Sequence, residues 1–165
     1  MIRQLCALVL LVVTFSARAD ISGRVVRVLD GDTVEVLEPD NRLTRVRLAG
    51  IDAPEKSQPF GQRSRQALSA IVAQRSVIVT GSDKDRYGRL LGTVWLGTTD
   101  VNAGQIRNGL AWAYRYHGTP LRPDYAALEA EARRHAFGLW SEPGQTEPWR
   151  WRSQHQGRGS ISDAP

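Results

Sequence analysis

The sequence predicts an α+β domain in which short antiparallel strands come first and helices follow. Three observations carry this reading. β-Branched residues alternate with period two through much of the first half. The hairpin dipeptide Asp30-Gly31 opens a run of closely spaced turn signals. Helical spacing of apolar residues then sets in after Pro59 and again after Pro123.

Ile21 to Leu29 forms the first strand, with Val26 and Val28 on one face and Val25 and Arg27 on the other. Thr33 to Leu37 is the second, with Val34 and Val36 sharing a face. Pro39-Asp40-Asn41 turns the chain into Leu43 to Leu48, where Leu43, Arg45 and Arg47 lie opposite Thr44, Val46 and Leu48. Pro54 and Pro59 bound a loop, and a helix spans about Gly61 to Gln74 with Ala67, Leu68, Ile71 and Val72 on its apolar stripe. Val77 to Thr80 and Leu90 to Leu96 supply two more strands. A short helix over Val101 to Asn108 stops at Gly109. The last helix starts near Pro123 and runs to Phe137 before Gly138, with Tyr125, Leu128, Ala132 and His135 on one face. Trp95, Trp112 and Trp140 are expected in the core. Five short strands with a helix inserted after the third fit a small closed barrel of the oligonucleotide-binding (OB-fold) kind. Pattern alone leaves that as one of several α+β arrangements.

The ends read differently. Met1-Ile2-Arg3-Gln4, the apolar run Leu5 to Phe15 and the small residues of Ala17-Arg18-Ala19 read as an export signal over 1–19. The run falls short of the roughly 20 residues a membrane span needs. Cleavage after Ala19 leaves 146 of the 165 residues, enough for one domain with its own core, placed at 20–152. Residues 153–165 are expected to form a disordered tail, while Pro148-Trp149-Arg150-Trp151-Arg152 folds back as a hydrophobic clasp. Export implies a periplasmic or secreted protein without stable membrane association after cleavage; separately, a monomer is expected. Cys6, the single cysteine, leaves with the signal, so neither disulfides nor thiolate metal sites are available. Of the 22 basic residues, Arg3 and Arg18 leave too, so 20 remain against 17 acidic ones. All but Lys56 and Lys84 are arginine, which suits bidentate phosphate contacts. That balance gives mild support for an anionic partner.

The chemistry lies in three segments. Asp30-Gly31-Asp32-Thr33 contains a turn aspartate, Asp30, and a second one, Asp32, where a strand should already have begun. Asp52 and Glu55 flank Ala53-Pro54, and the proline stiffens the turn and removes a donor. Two aspartates and a backbone carbonyl suit a hard cation such as calcium, which takes about 6–8 oxygen ligands. His117, His135 and His155 are too scattered to suggest zinc. Arg47 precedes the acidic turn, and Arg89 closes Asp85-Arg86-Tyr87-Gly88-Arg89. If all converge, the carboxylates of Asp32, Asp52 and Glu55 outnumber the two guanidiniums by one, and the site repels phosphate until a divalent cation reverses its sign. Tyr87, Tyr114 and Tyr116 suit nucleotide stacking and barrel-rim packing equally well.

Those three segments, followed by Val101-Asn102, Asn108-Gly109-Leu110-Ala111, Ala113-Tyr114-Arg115-Tyr116 and Gly138-Leu139-Trp140, resemble the thermonuclease (staphylococcal nuclease-like, micrococcal nuclease) family, in a secreted bacterial form. The resemblance covers Ile21 to about Ser141. It implies a five-stranded OB-fold barrel with three helices and calcium-dependent endonucleolytic cleavage of DNA and RNA. It puts the calcium carboxylates on Asp32 and Asp52 with a carbonyl ligand at Ala53, and the catalytic groups on Arg47, Glu55 and Arg89. Nucleotide contacts fall on Tyr87 and Tyr114, with Arg86 beside them, and cleavage at the 5′-oxygen leaves 3′-phosphate ends. Two departures bear on metal binding and substrate preference. Ala53 stands where the best-known member has threonine, and Lys56-Ser57-Gln58-Pro59-Phe60 replaces a lysine-rich loop. A non-catalytic nucleic-acid-binding barrel is the alternative.

Overall fold

The computed structural model describes residues 20–156, so the expected signal at 1–19 and the last nine residues of the expected tail lie outside the described residues. The chain forms β1 (Ile21–Asp30), β2 (Thr33–Leu37), β3 (Leu43–Leu48), the short β4 (Ile51–Asp52) and helix α1 (Gly61–Val72). Then come β5 (Ser76–Thr80), β6 (Leu90–Leu96), β7 (Thr99–Asp100), α2 (Val101–Arg107), the short β8 (Trp112–Ala113), β9 (Arg115–Tyr116) and β10 (Thr119–Pro120). Helix α3 (Pro123–Arg134), a 3₁₀ turn at Gly138–Ser141 and α4 (Pro148–Gln156) complete it.

The five longer strands close into a barrel in the order β3-β2-β1-β5-β6. Four of the five seams are antiparallel. The fifth is the parallel pairing of β3 with β6, which sets Val46 opposite Leu90 and Leu48 opposite Gly92. This is the α+β, five-stranded OB-type barrel anticipated from the strand pattern, and full closure leaves no long bare edge. Val25, Val34, Val36, Val46, Leu48, Val79 and Val94 fill its interior. Leu68 and Val72 of α1 and Val101 and Ile106 of α2 cap the ends of that core. Each fully buried side chain of this size is worth about 1.5–3 kcal/mol of transfer free energy.

Strand β1 departs from simple alternation. Val25 pairs with Val36, yet Arg27 already pairs with Glu35, so Val26 is an extra residue in a β-bulge. The bulge turns Val25 into the core and Arg27 out to solvent, although period two puts them on one face. Arg27 and Arg45 then cover Glu35, which strand β2 buries in the barrel wall.

Two buried amides join the helices to the barrel end that carries the acidic turns. Asn102 of α2 accepts the Val94 N–H and donates to the carbonyls of Ala49 and Gly92. Gln105 donates to the Gly31 carbonyl at 2.8 Å and to the Ser64 carbonyl of α1 at 3.2 Å. Asp100 caps α2 by accepting the Ala103 N–H. Trp112 is buried edge-on to Trp140, and Trp95 is half-buried with its indole N–H on Thr80.

The described residues contain four α-helices where three were expected. α4 starts on Pro148, whose missing N–H costs nothing in a first turn. Glu147 pairs with Arg150, and Trp151 stacks on His155 one turn later. Residues 153–156 therefore continue a helix instead of beginning a tail. Helices α1 and α3 end earlier than their apolar spacing suggests, where Gln74 and Ala136 adopt left-handed backbone conformations. Among the described residues no helix is long and apolar enough to cross a membrane.

Candidate active site

The floor of the site is made of strand ends. Asp30 accepts the N–H of Asp32 at 3.1 Å, a local turn that uses its carboxylate as the hairpin reading required. Asp32 then enters β2 almost fully buried, accepting the Thr33 hydroxyl at 3.0 Å and the Ala53 N–H at 2.7 Å. Across the β2–β3 pair, Thr33 faces Arg47. Gly50, at φ 76°, supplies the left-handed turn between β3 and β4 that swings Asp52 back beside Arg47. β4 is pinned there by pairing with β8, Asp52 opposite Trp112.

Arg47 joins the two acidic segments. Its guanidinium contacts Asp32 at 2.6 Å and Asp52 at 2.7 Å, and donates to the Ile51 carbonyl at 3.2 Å. Burial pushes the Asp32 carboxyl up to about 8; Arg47 opposes that rise, while Asp30 and Asp52 add to it. Burial works against the charge on Arg47 as well, but Asp32 and Asp52 hold its pKa above the ordinary arginine value.

The rim is made of loops and polar ties. Glu55 is partly exposed, and its backbone N–H donates to Gln58, whose amide donates in turn to the Thr146 carbonyl. Arg89 pairs with Asp85 at 2.6 Å, within its own turn. Tyr87 stands beside both arginines of that loop, its ring centroid 4.8 Å from the Arg86 guanidinium and 5.3 Å from that of Arg89. Tyr87 and Tyr116 are exposed, and Tyr114 borders on exposure at 37%.

The reading from sequence missed Arg152. This α4 residue donates to Asp52 at 2.9 Å and to Glu55 at 2.7 Å. The expected hydrophobic clasp is thus, at this residue, an ionic one. Pro148 gave a signal for the helix start, but nothing local ties an arginine to an aspartate 100 residues away in the chain. The charge balance shifts accordingly. Arg89 is engaged by Asp85, and Arg152 is the second guanidinium in contact with the Asp32, Asp52 and Glu55 group.

Asp32, Arg47, Asp52, Ala53, Glu55, Arg86, Tyr87, Arg89 and Tyr114, all singled out from sequence, line one cleft of about 720 Å³ together with Arg152. Among the described residues no group of three or more His, Cys, Asp or Glu side chains could hold a metal by itself. The donor set nonetheless fits a hard cation. Asp32 and Asp52 are buried carboxylates bridged by the Arg47 guanidinium, and among the described residues the cleft lining has no histidine, cysteine or methionine, so water and a phosphate would complete a coordination shell of oxygens.

A small closed barrel whose open cleft gathers carboxylates, arginines and exposed tyrosines defines a phosphodiesterase-type site on a nucleic-acid-binding fold. The profile of the staphylococcal nuclease homologue family matches residues 45–142. The chain is 48% identical over 161 residues to a micrococcal nuclease of Shigella flexneri, covering 92% of this chain and 91% of that one. It is also 48% identical over 167 residues to Protein ParB of Escherichia coli (96% and 94% covered). A 46% identity extends over 136 residues to an uncharacterized endonuclease of Escherichia coli O157:H7 (81% and 86%). The chain belongs to the staphylococcal nuclease family and is a nuclease, with nucleic acid as its substrate.

Proposed function

We propose that the protein is an exported, monomeric, calcium-dependent endonuclease that cuts DNA and RNA at the 5′-oxygen and leaves 3′-phosphate ends. The observation that carries this reading is the convergence of Asp32, Arg47, Asp52, Glu55 and Arg89 on one cleft from three separate segments. Asp32, Asp52 and the Ala53 carbonyl would hold calcium, which supplies Lewis-acid polarisation of the scissile phosphate.

Glu55 is the general base. Its partial exposure gives water access, and its carboxylate takes a proton from the water as that oxygen bonds to phosphorus. The bond from phosphorus to the 5′-oxygen breaks, and solvent returns a proton to the leaving group, since no guanidinium is acid enough to give one. Arg47 and Arg89 donate to the non-bridging oxygens and stabilise the extra charge of the five-coordinate transition state. Tyr87 and Tyr114 offer stacking faces to the flanking bases, and Arg86 a further phosphate contact.

Incubating the mature protein with DNA and with RNA, in calcium and in chelator, tests the reading. Calcium-dependent degradation to fragments whose 3′ ends accept label only after phosphatase treatment is the expected result. A mobility shift without cleavage would instead favour a binding module. Export is tested by fractionating cells that express the full chain, with loss of residues 1–19 read by mass spectrometry.

A further inference from the structure

Helix α4 is lightly packed against the rest of the fold. Of its described side chains only Pro148 is buried. Its reach into the cleft rests on Arg152, which contacts both oxygens of Asp52, at 3.3 and 2.9 Å, and one oxygen of Glu55 at 2.7 Å. Asp52 Oδ1 already accepts from Arg47. Both oxygens of this carboxylate are therefore occupied by guanidinium groups, and so is the Glu55 oxygen that faces α4. A cation taking Asp52 as a ligand would need atoms that Arg152 holds, and the same guanidinium engages one of the two Glu55 oxygens.

We propose that Arg152 is a resident counter-ion and α4 an autoinhibitory latch, closed over Asp52 and Glu55 in the cation-free protein and expelled when a divalent cation takes Asp52. The proposal rests on reading Asp52 as a cation ligand and Glu55 as the base. Electrostatics favours the exchange in both directions. Without a cation, Arg47 and Arg152 are the two positive groups that contact three carboxylates. A divalent ion supplies in one place more charge than the guanidinium it displaces, and like charges then push Arg152 away. α4 has few contacts with the strands and other helices, so once the cation takes Asp52 and repels Arg152 from Glu55 as well, the helix loses both ion pairs that tie it to the cleft. A nuclease built this way keeps its base engaged until its metal arrives.

The test uses the chain after signal removal, without nucleic acid, so that binding is read apart from turnover. Isothermal titration with calcium should show about tenfold tighter binding to Arg152→Gln than to the unaltered protein, the scale of removing one close competing charge pair. Arg152→Lys, which keeps the charge, should stay near the unaltered affinity. Hydrogen exchange should show α4 amides losing protection when calcium is added to the unaltered protein, and already unprotected in Arg152→Gln without calcium. Equal or weaker calcium binding by Arg152→Gln, identical behaviour of the Lys and Gln variants, or α4 protection indifferent to calcium would each overturn the latch while leaving the nuclease reading intact. Absence of calcium binding in every protein would overturn both.

Discussion

Arg47 and Arg89 face the same cleft but are held in opposite ways. Arg47 is 14% exposed and lies in a strand that the barrel pairs on both sides, with buried aspartates on its guanidinium. Arg89 is 26% exposed and is tied to Asp85, four residues earlier in its own loop. The first arginine is therefore part of what makes the fold tolerable, because it neutralises carboxylates the barrel has buried. The second is tied only within its own rim loop. A residue's place in the chemistry thus says little about its place in stability, and the two sites should separate in experiment.

The largest effect is expected for Arg47→Ala. It should lower turnover by orders of magnitude and also cost about 3–5 kcal/mol of stability in chelator, the usual result of stranding buried charges. Calcium should restore part of that stability, so paired thermal melts with and without the ion check the claim. Should the variant melt like the parent in chelator, the contrast with Arg89 collapses. For Arg89→Ala the expectation is a fall in turnover of about 10²–10³-fold with stability changed by less than about 0.5 kcal/mol. Backbone N–H groups of Tyr87 and Arg89 still bind Asp85 in that variant. Steady-state kinetics beside a denaturant titration would show whether the two quantities part company.

Asn102→Ala probes the floor from behind. It removes three hydrogen bonds and leaves the Val94 N–H and the Ala49 and Gly92 carbonyls short of a partner, so a loss of about 1–3 kcal/mol is expected by urea unfolding. Activity per folded molecule should fall with it, since Ala49 leads into the turn that presents Asp52. The smallest effect concerns acid. Burial alone would raise the Asp85 carboxyl, but the Arg89 N–H, the Arg89 guanidinium and the Tyr87 N–H together bring it below its ordinary 3.8. Its folded-state pKa is depressed, so its stabilisation of the rim loop is complete above 3.8 and fades only as pH falls through the lower folded value. The Arg89 side-chain N–H resonance, followed down in pH, should hold its position past 3.8 before it shifts.

The same contrast explains what could be read from the sequence. Asp32, Arg47, Asp52 and Glu55 sit in or beside strands and tight turns, where period two and turn residues fix a side chain's direction within a few positions. The barrel strands were legible for that reason. The bulge at Val26 was not, because an extra residue in one strand is defined only by its partner, and nothing in Val25-Val26-Arg27 announces that Glu35 will pair early. The parallel closure of β3 on β6 depends on strands far apart in sequence. Arg152 lay in a segment whose two tryptophans suggest a hydrophobic clasp, and nothing in them says that the neighbouring arginine reaches Asp52. Its function comes from a distant ion pair that leaves no local periodicity.

Gly31 lies where three pieces of the chain meet. A side chain there would run into the Ser64 hydroxyl of α1 and the methyl group of Ala53, while the Gly31 carbonyl is held by Gln105. Residues 31, 53 and 64 therefore share one fixed volume and cannot drift independently. A threonine at 53 has to be accommodated by its neighbours, and a serine lost at 64 opens space that only a change at 31 or 53 can reclaim. Descendants of this sequence should exchange these residues as a set, and a library that varies them one at a time will find almost nothing but losses.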